Sequence, residues 1–222
     1  MSYLLGVPAA TPQSTGPAFQ FECPPGCAPI VAGQCRAVLR RAIIDAIRFA
    51  NNAAAKLEAN PRDGSTINHF VRLFGHRPDR PVPWANNQES GATVAHRLRK
   101  VAEALQRRGT SYRCVACGTS SVLECPLDAP TIPCPVNATA VRPNTITLCP
   151  RFWQQSAVWR AGILIHETLH LIYNEFFHHI GHPSGDPERR RDNAHCYEAF
   201  ALLVNGHTPD PCDICRCRRR PT

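Results

Sequence analysis

The sequence predicts an α+β fold, helix-rich, with a small sheet laid over one long apolar helix. Three observations lead there. Apolar residues recur at helical spacing through two long segments of the N-terminal half. The run Thr145-Ile146-Thr147-Leu148-Cys149 alternates polar and apolar residues, as a strand with one buried face does. From Ala157 to Tyr173 the chain is apolar on nearly every side, the composition of a helix enclosed by other elements. With 222 residues, 43% of them hydrophobic, the chain can bury a core as one domain or two closely packed halves.

Residues 1–34 are rich in proline, alanine and glycine and read as loop. The domain is expected over 35–208, with a helical N-terminal half (35–110), a Cys-rich strand region (111–150) and two further helices within 155–205. From Cys35, the series Val38, Leu39, Ala42, Ile43, Ile47 and Ala50 gives a helix that Asn60-Pro61 ends. A second helix is expected over His69–Phe74, stopped by Gly75. Residues 75–90 form a proline-marked loop. Gly91–Arg108 is a third helix, its apolar stripe Val94, Leu98, Val101, Ala102 and Leu105 and its basic face Arg97, Arg99, Lys100, Arg107 and Arg108. That face carries no interleaved aromatics, so it reads as solvated rather than as a nucleic-acid stripe. The 145–149 strand, if it lies at a sheet edge, offers backbone groups to an extended peptide. Residues 177–187 form a turn-rich connection, Asp192 caps a last helix reaching Val204, and 209–222 is a Cys- and Arg-rich tail.

The net charge is +8, and of 25 basic residues only Lys56 and Lys100 are lysines. No apolar run reaches the length of a membrane span, and Met1–Pro8 has neither the basic nor the apolar region of a secretory signal. Twelve cysteines point the other way, to an oxidising destination and disulfides. Cys114-x2-Cys117 with Cys125 and Cys134 also has the spacing of a structural zinc knot. Export without a recognisable signal peptide, with a delivery or secretion partner, reconciles these facts. Asn137-Ala138-Thr139 matches a glycosylation acceptor, a weak signal at that length.

The chemistry lies in His166-Glu167-Thr168-Leu169-His170. Positions i and i+4 share one helix face, so two imidazoles can grip one metal ion while Glu167 reaches a water on that ion. This is the H-E-x-x-H pattern of zinc metalloproteases. Without an ion, two histidines and a glutamate would be buried at a cost of several kcal/mol. A catalytic zinc takes three protein ligands. His195, 25 residues past His170, is the first choice for the third, followed by Asp186 and then Asp192 and the His178, His179, His182 cluster. Glu167 is the general base. Glu198, one turn after His195, can orient a ligand, and Tyr197 can donate a hydrogen bond to a developing oxyanion. Each also has a plain alternative, as a solvated helix charge and a core tyrosine.

Three stretches together resemble the aspzincins, the zinc metalloendopeptidases that include deuterolysin and the peptidyl-Lys metalloendopeptidases. They are Ile146–Trp153, Leu164–His170 and Asp192–Phe200. The resemblance implies a zincin-like fold, zinc as cofactor and a protein or peptide substrate. It carries His166, His170 and Glu167 directly. The family's Gly-Thr-x-Asp-x-x-Tyr-Gly turn is absent; Ser184-Gly185-Asp186 is its nearest counterpart, and His195 stands where the family's helix has an aspartate. Either Asp186 keeps the family role or His195 takes it over. The scarcity of lysine would spare a Lys-specific protease from cutting itself, and arginine-favouring codon usage explains it equally well. Two rivals stand beside a zinc metalloendopeptidase acting on foreign protein as an effector or toxin. One is a zinc-binding module without turnover. The other is a basic nucleic-acid binder using Cys114, Cys117, Arg216, Arg218, Arg219 and Arg220, which the missing aromatic platform disfavours.

Overall fold

The computed structural model describes residues 19–22, 32–59, 62–107, 109–114, 137–173 and 190–209. Within them the protein is mixed α+β and helix-rich, with a four-stranded sheet. The elements are β1 (Gln20–Glu22), α1 (Ala32–Glu58), α2 (Gly64–Phe74), a 3-10 turn at Pro83–Ala85, α3 (Ser90–Gln106), β2 (Ser111–Cys114), β3 (Ala138–Val141), β4 (Thr145–Leu148), α4 (Pro150–Gln154), α5 (Ala157–Ile172) and α6 (Ala194–Val204). No described helix is long and apolar enough to cross a membrane. Cys35, Cys114, Cys149 and Cys196 are buried, and the last three are disulfide-bonded. The glycosylation motif falls on the start of β3, whereas the 177–187 connection and the 209–222 tail lie, but for Pro209, outside the described residues.

Helix α5 is the centre of the molecule. Ala161 through His170 are all buried, because α1, α3 and α6 pack around it and β3 and β4 lie over it. Ser156 starts the helix by accepting the Trp159 N–H, which satisfies one of the orphan donors of its first turn. On the helical side the core is made by Leu39, Ile43 and Leu57 of α1, Leu98 and Val101 of α3, and Phe70 and Phe74 of α2, the last two meeting Phe200 of α6 edge-on.

α2 is longer than the apolar spacing suggested. It begins at Gly64 because Asp63, in extended backbone, accepts both the Thr66 N–H at 2.8 Å and the Thr66 hydroxyl at 2.8 Å. Gly75 ends it as expected, in the left-handed conformation (φ 82°), with its N–H donating to Val71 O. The Ser65 hydroxyl, then the Thr66 donors and Lys56, hold the Asp63 carboxyl far below the usual range. A depressed folded-state value places this cap's contribution above the ordinary aspartate pKa of about 3.9 and removes it as pH falls from there. Asp63→Ala is expected to cost about 1 kcal/mol at neutral pH, and urea unfolding of the two chains should converge on strong acidification.

The sheet corrects one expectation. Its order is β1-β2-β4-β3, with β1, β2 and β4 parallel and β3 antiparallel to β4. The 145–149 run does form a strand, but β4 lies inside the sheet and its edges are used by β2 and β3. Among the described residues, the sheet edge beside α5 belongs to β3. Cys149 N–H donates to Asn137 O, so by the two-residue period Thr139 and Val141 pair with β4 and Ala138 and Ala140 turn their backbone groups outward. The face formed by Tyr112, Cys114, Ile146, Leu148 and Ala138 is buried. Small alanines let β3 approach α5 closely.

The basic face of α3 is not uniformly solvated either. Arg97 is nearly enclosed, with its Nη1 donating to Arg191 O at 2.8 Å and the Tyr197 hydroxyl at 2.8 Å and lying 3.3 Å from Asp192 Oδ1. Arg99 pairs with Glu58 and Lys100 with Glu103 on the surface. At α6 the capping residue is Asn193, whose side chain accepts the His195 N–H, and not Asp192. Asp192 is taken up by Arg97 and Arg191.

Candidate metal centre

His166, Glu167 and His170 are 5%, 8% and 8% exposed, in the middle of α5. One turn of helix brings His166 Nε2 and His170 Nε2 to 3.1 Å. Two imidazole nitrogens on a tetrahedral zinc stand roughly 3.3 Å apart, given ligand bonds of about 2.0–2.1 Å. The pair therefore has the bite of two ligands to one ion. α6 adds two more groups from the neighbouring helix. The His195 ring lies 4.2 Å from that of His166, centroid to centroid, and Glu198 Oε2 is 3.2 Å from His166 Nδ1. Ligand-capable atoms of His166, His195 and Glu198 all fall within 4.8 Å of one another.

These contacts divide by side. Glu198 meets His166 at Nδ1, whereas His170 meets it at Nε2. The two nitrogens of one imidazole point in widely different directions, so a single ion cannot lie between His166 and His170 and also between His166 and Glu198. A hydrogen on Nδ1 directed at the carboxylate leaves Nε2 with its lone pair, which is the tautomer that a metal needs. The donor set thus fits zinc held through His166 and His170, with His195 beside them and Glu198 behind.

Burial dominates the electrostatics. It pulls His166 down to about 3, with the neighbouring His195 adding to the shift and Glu198 opposing it. Burial alone would raise Glu198, yet its contacts to His166 and His195 hold it below the ordinary carboxylate range. Burial pushes Glu167 up to about 8, against the Ala140 N–H and with the Glu198 charge. That N–H, one of the outward donors of β3, reaches Glu167 Oε2 at 2.7 Å. The carboxylate is therefore tied to the sheet edge.

Tyr197 is placed elsewhere. It stands two residues from His195, a rotation of roughly 200° on the helix. Its ring packs edge-on against Phe74 at 5.3 Å, its hydroxyl accepts from Arg97, and burial pushes it up to about 12. The expected oxyanion donor is a core tyrosine. Asp192, engaged by two arginines, is not brought to the imidazoles. Asp186, His178, His179 and His182 lie outside the described residues.

Two contributors escaped the sequence reading. Arg142, just past β3, donates through Nε and Nη2 to His170 O at 3.2 and 3.0 Å and through Nη2 to Tyr173 O at 2.7 Å. It places a cation on the last carbonyls of α5, where the helix dipole favours one. Arg142→Ala is expected to lower stability by about 1 kcal/mol, and amide exchange should quicken in the last turn of α5 more than in α1. The second contributor is Gly162, one turn before His166 and packed against Glu198. No protein-family model matches the chain, and no curated protein matches it.

Proposed function

We propose that the chain is a zincin-type zinc metalloendopeptidase related to the aspzincins, with a three-histidine centre of His166, His170 and His195. The observation that carries the reading is the 3.1 Å approach of the two Nε2 atoms, on the same helix as a Glu167 carboxylate that accepts from the sheet edge. A bound zinc ion would supply a Lewis acid for the scissile carbonyl and bring the pKa of a water molecule near neutrality. The remaining work falls to the protein. Glu167, in its ionised form, would take a proton from the attacking water and hand it to the leaving amine. Glu198 keeps the His166 imidazole in its ligating tautomer. The outward backbone groups of Ala138 and the outward carbonyl of Ala140, whose N–H is taken by Glu167, offer an extended peptide a place along β3, the role assigned by the sequence to residues 145–149. Export without a recognisable signal, and use as an effector on foreign protein, belong to the same proposal and rest on the cysteine content.

The test is digestion of a denatured protein mixture by the intact chain and by Glu167→Ala, with new termini mapped by mass spectrometry. Termini produced only by the intact chain support an endopeptidase, and their flanking residues report any Lys preference. Identical termini from both samples would remove the claim for general substrates.

A further inference from the structure

We infer that Glu198 is a shared positioning carboxylate for two of the three metal-binding imidazoles, seated in a berth that only glycine at position 162 leaves open. This rests on the metal reading above and adds to it the group that holds the first and third histidines in one orientation.

The geometry comes from three independent contacts. One oxygen, Oε2, lies 3.2 Å from His166 Nδ1 and 3.5 Å from His195 Nδ1, so a single atom faces the same nitrogen on both rings. With Nδ1 of each ring turned to the carboxylate, Nε2 of each is left for coordination. His166 Nε2 is already the atom that approaches His170. Glu198 is 1% exposed and, among the described residues, its charged-group contacts are the two imidazoles, so its charge is balanced by imidazole hydrogens and by any cation those imidazoles hold. An ionised carboxylate in so dry a place is expensive without such a balance. The third contact is on α5. A Cβ at Gly162 would meet Glu198 Oε1 at 2.8 Å, Leu202 Cδ1 at 3.1 Å and Glu198 Cγ at 3.3 Å. The carboxyl group lies directly over the Gly162 backbone. A methyl group there has to displace a side chain whose tip is pinned between two histidines.

The consequence is that metal affinity depends on two residues that touch no metal. Zinc affinity is to be measured by competition with a chromophoric chelator for the unaltered chain, Glu198→Gln and Gly162→Ala. Cobalt(II) absorption spectra report the ligand field, and circular dichroism confirms that each metal-free variant is folded. Glu198→Gln has nearly the same shape, so it changes the charge and one acceptor without crowding Leu202. Both variants are expected to bind zinc about 10- to 100-fold more weakly, with an altered cobalt spectrum and an unchanged fold. Affinity within about twofold of the unaltered chain and an identical cobalt spectrum would overturn the assignment. Loss beyond about a thousandfold, with a cobalt spectrum showing one ligand fewer, would overturn it differently, by making Glu198 itself a ligand. Failure of the unaltered chain to take up zinc would end the metal reading, and this inference with it.

Discussion

Replacing Glu167 with glutamine is expected to slow peptide hydrolysis by roughly 10²- to 10⁴-fold, the usual worth of a positioned general base, while zinc affinity stays within a few-fold. The two readouts separate because Glu167 occupies a different direction from its neighbour His166. It points to the Ala140 N–H, whereas the imidazoles point to one another and to α6. Glutamine keeps an oxygen for that N–H, so the local structure has no reason to move. What it loses is the capacity to accept and return a proton. Parallel loss of zinc in this variant would show that the carboxylate is structural, and hydrolysis at an unchanged rate would exclude it as the base.

The largest effect on stability is expected at Phe200. Its ring is fully buried and meets Phe70 at 5.8 Å and Phe74 at 6.0 Å, joining α6 to α2. Truncation to alanine removes a ring and leaves a cavity that three helices cannot collapse into, which costs about 3–5 kcal/mol. For a domain whose total stability is of order 5–15 kcal/mol, the metal-free variant should be close to unfolding at physiological temperature. Zinc would restore part of the loss, because an ion held by α5 and α6 binds only the folded chain and stabilises it by mass action. Urea unfolding with and without zinc checks both parts. A loss below about 1 kcal/mol would mean that the aromatic cluster repacks.

α1 and α3 were legible in the sequence by long apolar periodicity, α5 by its nearly unbroken apolar run and β4 by strict alternation, and burial against neighbours only reinforces these patterns. Boundaries set by single hydrogen bonds were not. α2 starts five residues before its apolar run because of Asp63, and α6 is capped by Asn193 and not by the acidic residue before it. β2 and β3 have four residues each, like β4, but stand in a stretch dominated by cysteines and prolines, and pairing with β4 makes them strands. His166, Glu167 and His170 are visible because helical spacing alone puts them together. His195 and Glu198 follow from helical spacing once α6 is known to cross α5. Tyr197 shares that helix but not that side, a distinction that residue type does not carry. Gly162 left a faint signal: a glycine inside an apolar helix, one turn from His166, marks a close approach, though nothing in the sequence says of what.

The alternation along β3 has a consequence for how such a protein can diversify. Ala138 and Ala140 share the sheet's buried side with Leu148 and Ile146, and the Ala140 N–H reaches the Glu167 carboxylate. Thr139 and exposed Val141 face the opposite way. Neighbouring codons in one short strand are therefore under opposite constraints, one pair held by packing on the core side and the other at liberty to drift. A library randomised at 139 and 141 alone would leave the fold intact, and a library at 138 and 140 would mostly return chains of lowered stability.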